Sequence, residues 1–343
     1  MTDRKPSERA LSRRAFLGAG LALGAAATTA LALPRRARAA DKDKPKLRDC
    51  YDGRRGKTLY LDLDSAPFPD GKSRYKDPTV IVFVPDYFRV HDDMRVDTIV
   101  HFHGYRDTAD AAMKRHQLRE QLYDSKQNAI IVFPQGAVNA RDPDFGKLDK
   151  PGGYLAFLTE LRKTLQTPTI QAKLGASGIP GRARIGKTVL SAHSGGFLAV
   201  ANCVEHGGYD VNEVYLFDAL YGRAEVFADW VAATYFQKGS ALEKRKIVSY
   251  YSDAPTVAES KRLMRMFDKL GIEYAHEQHE GTISRRTLSQ SRAIFIKTDV
   301  SHQGVTYRNN ALRDCLYASG LKRYLRSEWF ENAGEPRVIT PRE

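Results

Sequence analysis

The stretch from Lys187 to Ala199 reads KTVLSAHSGGFLA and is the most informative segment of the chain. Its first half, up to Ala192, is an apolar run typical of a buried strand. The second half, from Gly195 onwards, has a helical pattern. The small residues between the two halves allow a sharp strand-to-helix turn, which neighbouring backbone must approach closely. The stretch therefore predicts a strand, a tight turn with Ser194 at its apex, and a helix.

Strand and helix patterns alternate along most of the remaining chain. Predicted strands are Lys57–Leu63, Thr79–Val84, Thr98–His103, Ala129–Phe133, Lys187–Ala192, Glu213–Phe217, Lys246–Tyr251 and Ala293–Lys297. Predicted helices are Ala111–Ser125, Tyr154–Leu165, Gly195–Glu205, Pro255–Leu270 and Asn310–Leu325. Such alternation indicates right-handed βαβ units. We predict an α/β fold with a mostly parallel, doubly wound sheet flanked by helices.

The turn at Ser194 resembles the nucleophile elbow of the α/β-hydrolase superfamily, usually written G-x-S-x-G. Ala192 replaces the first glycine, which the need for a small residue tolerates. The resemblance extends over roughly residues 79–325 and implies an α/β-hydrolase fold with Ser194 as the nucleophile. It also implies that the backbone N–H of Gly195 stabilises the reacting oxygen and that Gly196 serves the turn.

A second motif in the chain supports the resemblance. Residues 97–105 read DTIVHFHGY, a strand that ends in His103 and Gly104. In the same superfamily, a strand-end His-Gly precedes the loop that gives the second oxyanion-hole N–H. The resemblance implies that the backbone of Tyr105 supplies this donor and that Gly104 allows the turn. The side chain of His103 need not react, and a structural role at the strand end explains it as well.

The candidate base is His302. A serine hydroxyl is a poor nucleophile until a base takes its proton, and the superfamily places the histidine after the last strand. The predicted strand Ala293–Lys297 is followed by TDVSHQG, which puts His302 at that position. His276 and His279 precede this strand in a polar stretch and are poorer candidates.

Two aspartates are candidates for the acid that orients the base. Asp253 ends the strand before the last, which is the commoner acid position in the superfamily, and we expect it to be the acid. It could instead be a helix N-cap. Asp218 ends the strand after the nucleophile, a position that some lipases use, and it is the alternative acid. Asp218 could also line the pocket.

These residues predict acyl transfer by a serine hydrolase that needs no metal and no organic cofactor. The favoured reaction is carboxylic-ester hydrolysis, with a small molecule or a polymer as the ester substrate. An amidase or peptidase acting on cell-envelope peptides would use the same triad. A catalytically silent α/β-hydrolase fold that binds a partner is the third possibility, because fold alone does not prove activity.

The N-terminus has the features of an export signal. Arg13 and Arg14 precede an apolar run from Gly18 to Leu33, and Ala-Arg-Ala at 37–39 is a small-residue cleavage signal. The paired arginines resemble a twin-arginine signal. We therefore expect residues 1–39 to be a signal peptide read by the twin-arginine export machinery, and the protein to be periplasmic or secreted. We expect an N-terminal linker and strand over 40–78 and the catalytic domain over 79–343.

The formal charge of the whole chain is +13. Residues 1–39 hold eight Arg or Lys and two acids, which leaves +7 for the rest. A moderately basic surface suits an anionic envelope polymer, although a solvated surface without a partner explains it too. No long Lys/Arg tract or interleaved aromatic-basic patch occurs, so nucleic-acid binding is not expected.

The chain contains three cysteines, which do not have a metal-ligand spacing. Cys50 and Cys315 could pair in an oxidising compartment, which would leave Cys203 over. The sequence does not show whether the two thiols approach each other.

Overall fold

The computed structural model describes residues 46–138, 140, 144–252, 254–323 and 327–342. The predicted signal peptide and Asp253 lie outside these residues. At the centre is a ten-stranded sheet with the order β1-β2-β3-β5-β4-β6-β7-β8-β10-β9. Its strands are β1 Leu47–Gly53, β2 Gly56–Asp62, β3 Thr79–Pro85, β4 Arg95–Phe102, β5 Ala129–Pro134, β6 Arg184–His193, β7 Glu213–Phe217, β8 Lys246–Tyr251, β9 Ala275–Glu277 and β10 Ala293–Lys297.

The sheet is mostly parallel. β1, β2, β3 and β5 pair antiparallel in that order, and every pairing from β5 through β4, β6, β7, β8 and β10 to β9 is parallel. This confirms the predicted α/β class with a mostly parallel, doubly wound sheet flanked by helices. Because parallel strands end at the same edge, the loops after β4, β6, β7 and β10 are brought together there.

Helices cover both faces of the sheet, which explains why its central strands are largely buried and mostly apolar. One core lies between the sheet and α3 to α7, and the other between the sheet and α1, α2, α8 and α9. The helices are α1 Ala109–Arg115, α2 Leu118–Ser125, α3 Gly153–Leu165, α4 Pro168–Leu174, α5 Phe197–His206, α6 Ala224–Tyr235, α7 Ala254–Leu270, α8 Arg285–Gln290 and α9 Ala311–Tyr317. No helix in the described part of the chain is long and apolar enough to cross a membrane.

Two predicted helices differ from the structure. The helix predicted over Ala111–Ser125 is divided into α1 and α2, because Gln117 takes a left-handed backbone conformation (φ 48°) that ends the first helix. The last helix, predicted to reach Leu325, ends at Tyr317. There the hydroxyl of Ser319 donates to the carbonyl of Leu316 and replaces a helical hydrogen bond.

The sheet crosses the predicted boundary between residues 40–78 and 79–343. β2 pairs with β3 over its whole length, and β1 pairs with β2 as a hairpin at the sheet edge. The sequence did not predict β1, because an edge strand that is mostly exposed has no apolar alternation. The helices α4, α6 and α8 and the three-residue strand β9 were not predicted either.

All three cysteines are free thiols, so the suggested pairing of Cys50 with Cys315 is absent. Cys50 packs against the core on the α3 to α7 side of the sheet, whereas Cys315 is buried in the core on the other side. The sheet therefore separates the two sulfur atoms.

Candidate active site

Ser194 lies immediately after β6, which is flanked by β4 and β7 in the middle of the sheet. Its backbone has φ 54°, a left-handed conformation that residues other than glycine seldom adopt. A single turn of 3₁₀-helix, Ser194–Gly196, then leads into α5. The predicted strand, turn and helix are all present. Strain of this kind is concentrated at functional sites, where the surrounding structure enforces it.

Close backbone contacts explain two of the glycines around the turn. A Cβ atom on Gly196 would lie 2.7 Å from the carbonyl oxygen of Phe102 and 2.9 Å from that of His103. A Cβ atom on Gly104 would lie 2.6 Å from the Cβ of Ser194. Any side chain at either position would therefore push the turn away from the end of β4. Ala192, at the first glycine position of the motif, is fully buried.

His302 follows β10 and meets Ser194 across the sheet edge. Its Nε2 lies 3.0 Å from the hydroxyl oxygen of Ser194, within hydrogen-bond distance. The imidazole is partly exposed, with 29% of its side-chain surface accessible. This geometry suits a base that takes the serine proton and then meets substrate or water. The structure thus brings together the predicted nucleophile and the predicted base.

The carboxylate beside His302 is that of Asp218, which follows β7. Its Oδ2 lies 2.7 Å from Nδ1 of His302. The main-chain N–H of Ser252 and the hydroxyls of Ser252 and Thr256 donate to the same carboxylate, at 3.0, 2.6 and 2.6 Å. Burial opposes ionisation, but these hydrogen bonds and the one from His302 lower the pKa of Asp218 to about 2. Asp218 is therefore ionised near neutral pH.

The sequence analysis favoured Asp253 as the acid and held Asp218 as the alternative. Asp253 lies outside the described residues, and the position at Nδ1 of His302 is occupied by Asp218. Of the two candidates, Asp218 is therefore the one that the described structure places against His302. Two further partners of this carboxylate are not marked in the sequence: Ser252, which follows β8, and Thr256, in the first turn of α7. Their only sequence signal is a pair of hydroxyl residues near the junction of a strand and a helix.

The two predicted oxyanion donors belong to two segments next to Ser194. Gly195 is the second residue of the helical segment Ser194–Gly196, whose first internal hydrogen bond is donated by Phe197, so the Gly195 N–H has no helical acceptor. The peptide between Gly104 and Tyr105 runs past Ser194, as the close approach of Gly104 to its side chain shows. Each N–H is thus on a segment that contacts the nucleophile.

His103 holds the peptide that carries the second donor. Its Nδ1 donates to the carbonyl oxygen of Gly104 at 2.9 Å, and its Nε2 accepts the N–H of Gly136 at 3.0 Å. Burial lowers the pKa of His103 and keeps the ring neutral. In a trans peptide the N–H points opposite to the C=O, so the N–H of Tyr105 points away from the His103 ring. His103 therefore has a structural role.

Aromatic side chains lie next to His302 and in the loop that follows β4. The ring of Tyr221 packs edge-on to His302 with centroids 6.4 Å apart, and Phe197 packs against Tyr221. On the other side, Tyr105 is 46% exposed and carries the guanidinium of Arg106 4.9 Å from its ring centroid. In the described part of the chain, no cluster of His, Cys, Asp or Glu side chains is arranged to hold a metal ion.

No family model and no curated protein matches this chain. Among solved structures it is similar to a ferulic acid esterase, with 14% identity, 78% of this chain and 96% of that chain covered, and a TM-score of 0.44. It is also similar to the feruloyl esterase module of Clostridium thermocellum, with 12% identity, coverage of 79% and 86%, and a TM-score of 0.43. A third similar structure is the acetyl xylan esterase from Aspergillus awamori, with 11% identity, 77% of this chain and 100% of that chain covered, and a TM-score of 0.47. Similarity at this level concerns the fold and not the substrate.

Proposed function

We propose that this protein hydrolyses carboxylic esters through a Ser194–His302–Asp218 triad and an acyl-enzyme intermediate. The observation that carries the proposal is the pair of hydrogen bonds in series, 3.0 Å from Ser194 to His302 and 2.7 Å from His302 to Asp218. A nucleophile, a base and an orienting acid in this order are the arrangement required for activating a serine.

In the first half of the reaction, the Ser194 oxygen attacks the ester carbonyl carbon while Nε2 of His302 takes the hydroxyl proton. The N–H groups of Gly195 and Tyr105 stabilise the resulting oxyanion. When the tetrahedral intermediate collapses, the C–O bond to the leaving alcohol breaks and His302 returns the proton to that alcohol. Asp218 holds the imidazole in the correct tautomer and stabilises the imidazolium.

In the second half, His302 removes a proton from water, which attacks the acyl carbon of the acyl-Ser194 ester. Collapse of this second intermediate releases the carboxylic acid and returns the proton to Ser194. No step requires a group that the chain itself does not provide. The partly exposed edge of His302 gives water a path to the base.

The left-handed backbone at Ser194 favours an active enzyme over a silent binding protein, because strain is maintained where function uses it. The same triad could cleave amides, so the amidase or peptidase reading differs only in the leaving group. We propose the ester reaction because an ester is the less demanding substrate for a triad: an alcohol leaves more readily than an amine, and His302 protonates either leaving group.

Export and substrate class complete the proposal. Residues 1–39 are proposed to direct export by the twin-arginine machinery, which would place the enzyme in the periplasm or outside the cell. The basic surface of the mature chain supports an ester on an anionic envelope polymer as the substrate. A polysaccharide or polyester substituent fits a secreted esterase of this kind.

Turnover of matched model substrates tests the reaction class. We expect purified protein to hydrolyse p-nitrophenyl acetate or butyrate at least about a thousandfold faster than Ser194→Ala, because a triad acts as a unit. The corresponding p-nitroanilides should react more slowly than the esters. Faster cleavage of the anilides would favour the amidase reading, and a wild-type rate no higher than that of Ser194→Ala would favour a silent fold.

A further inference from the structure

His193 precedes the nucleophile and ends β6. Its side chain is buried, with 3% of the residue surface exposed, and it lies against the base. The two imidazole rings are 4.7 Å apart between centroids, and Nε2 of His193 lies 2.7 Å from the main-chain carbonyl oxygen of His302. The residue beside the nucleophile therefore contacts the residue that activates it.

The direction of this hydrogen bond follows from its acceptor. A carbonyl oxygen only accepts, so Nε2 of His193 must carry the proton. Burial, together with the neighbouring His302, lowers the pKa of His193 to about 4, so the ring is neutral near pH 7 and Nδ1 carries no proton. Nδ1 has no hydrogen-bond partner within the described structure. His193 is therefore present as a single neutral tautomer.

The main chain of His302 needs such a contact. Residues 302–309 form a series of turns outside any helix or strand. Asp218 and Ser194 bind the two ring nitrogens of His302 and fix the ring, but neither touches its backbone. The hydrogen bond from His193 fixes the peptide instead, and it joins that peptide directly to the end of β6.

We propose that His193 is a positioning residue that holds the main chain of the base at the distance the nucleophile requires. This inference rests on the proposed triad. A rigid link between the two partners matters because a displacement of about 1 Å costs about a hundredfold in rate. The link also has to be uncharged, since the imidazolium formed on His302 during catalysis lies one ring away.

Two further buried histidines lie next to His193 and favour its neutral form. His116 packs against His193 with centroids 4.8 Å apart, and His101 packs against His116 at 5.7 Å. Both rings are buried, and burial holds their pKa values well below the ordinary value. A proton on His193 would therefore sit in a region that solvates charge poorly.

Substitutions test the positioning role. His193→Phe keeps the ring size and removes the donor, and we expect kcat for the ester to fall about a hundredfold with KM changed less than threefold. His193→Gln keeps an N–H near the same point and should recover at least a tenth of the wild-type kcat. The matched control is His206→Phe, because His206 also binds a main-chain carbonyl through Nε2, that of Asp149 at 3.1 Å, away from the triad. A His193→Phe variant within threefold of wild type in kcat would overturn the proposal.

A spectroscopic measurement on the unaltered protein guards against misfolded variants. Long-range proton–nitrogen NMR correlations of histidine-labelled protein should show His193 as the neutral Nε2–H tautomer between pH 5.5 and 8.5. A charged ring or an Nδ1–H tautomer would contradict the hydrogen bond and hence the proposal. The NMR measurement does not depend on catalytic turnover. An inactive wild-type protein would refute the proposed function, and the NMR spectrum would still show whether the hydrogen bond of His193 is present.

Discussion

The carboxylate of Asp218 is buried and receives hydrogen bonds from Ser252 and Thr256 as well as from His302. A buried carboxylate with several donors stays ionised and cannot rotate freely. It can therefore hold the His302 ring so that Nε2 faces Ser194. The orientation of His302 therefore depends on Asp218 after β7, on Ser252 after β8 and on Thr256 in the first turn of α7.

Replacing Asp218 by Asn should lower kcat for ester hydrolysis by about 10³–10⁴ with little change in KM, because an amide favours the wrong imidazole tautomer. Steady-state kinetics on the purified variant measure the effect. Asp253→Asn is the matched control and should change kcat less than threefold. A larger loss of kcat in Asp253→Asn than in Asp218→Asn would indicate that Asp253 is the acid.

The sequence predicts that Ser194 and His302 lie together because each has a distinctive position in the strand series, and the structure places them 3.0 Å apart. Ser194 is marked by the small residues around it, and His302 is the histidine that follows the last long strand. The acid could not be chosen in the same way. Asp218 and Asp253 both follow strands in the sequence, and the sequence does not show which of them reaches His302. The hydrogen bond of Asp218 to His302 is a tertiary contact.

At the scale of elements, the site depends on the fit between β4 and the turn after β6. β4 and β6 are parallel neighbours, and the turn lies directly on the backbone at the end of β4. This packing positions the loop of Gly104 against Ser194. Short-range pattern predicted both strands, since buried strands are apolar runs, and it predicted the turn from its small residues.

Prediction from sequence was poorer where tertiary contacts decide the structure. The apolar pattern runs through α1 and α2 without interruption, yet the chain turns at Gln117. The side chain of Gln121 donates to the carbonyl of His116 at 2.8 Å and satisfies the end of the first helix. The edge strand β1 exists because it pairs with β2, not because its own sequence is apolar. Predicting such elements requires knowing which parts of the chain pack against them in the folded protein.

At the scale of the whole molecule, four histidines are buried with lowered pKa values: His101, His103, His116 and His193. Each is neutral in the folded protein and takes up a proton more readily when the chain unfolds. Below the ordinary histidine pKa of about 6.5, the unfolded state therefore binds more protons than the folded state. The free energy of unfolding must then decrease as the pH falls.

We predict that the free energy of unfolding, measured by urea titration, is clearly lower at pH 5.0 than at pH 7.0. The lowered pKa of His193, about 4, alone corresponds to about 3 kcal/mol once the pH has fallen below that value. Asp218 adds to the loss only in stronger acid, between its ordinary pKa of 3.8 and about 2.

The variant His116→Phe tests the cause of this acid sensitivity. It removes one buried titrating group, so the decrease in the free energy of unfolding between pH 7.0 and pH 5.0 should be smaller than in wild type. A loss of packing that is the same at both pH values does not affect this difference. His279→Phe, at an exposed position, should keep the wild-type decrease. Equal decreases in all three proteins would show that the buried histidines do not control acid stability.

The central claim is that Ser194 is an activated nucleophile. Intact-mass spectrometry after treatment with a fluorophosphonate tests it most directly, because the reagent modifies a serine only when a base activates it. We predict one adduct on the mature wild-type protein, located on Ser194 and absent from folded Ser194→Ala and His302→Ala. A folded wild-type protein that forms no adduct, or an adduct that persists in Ser194→Ala, would contradict the account.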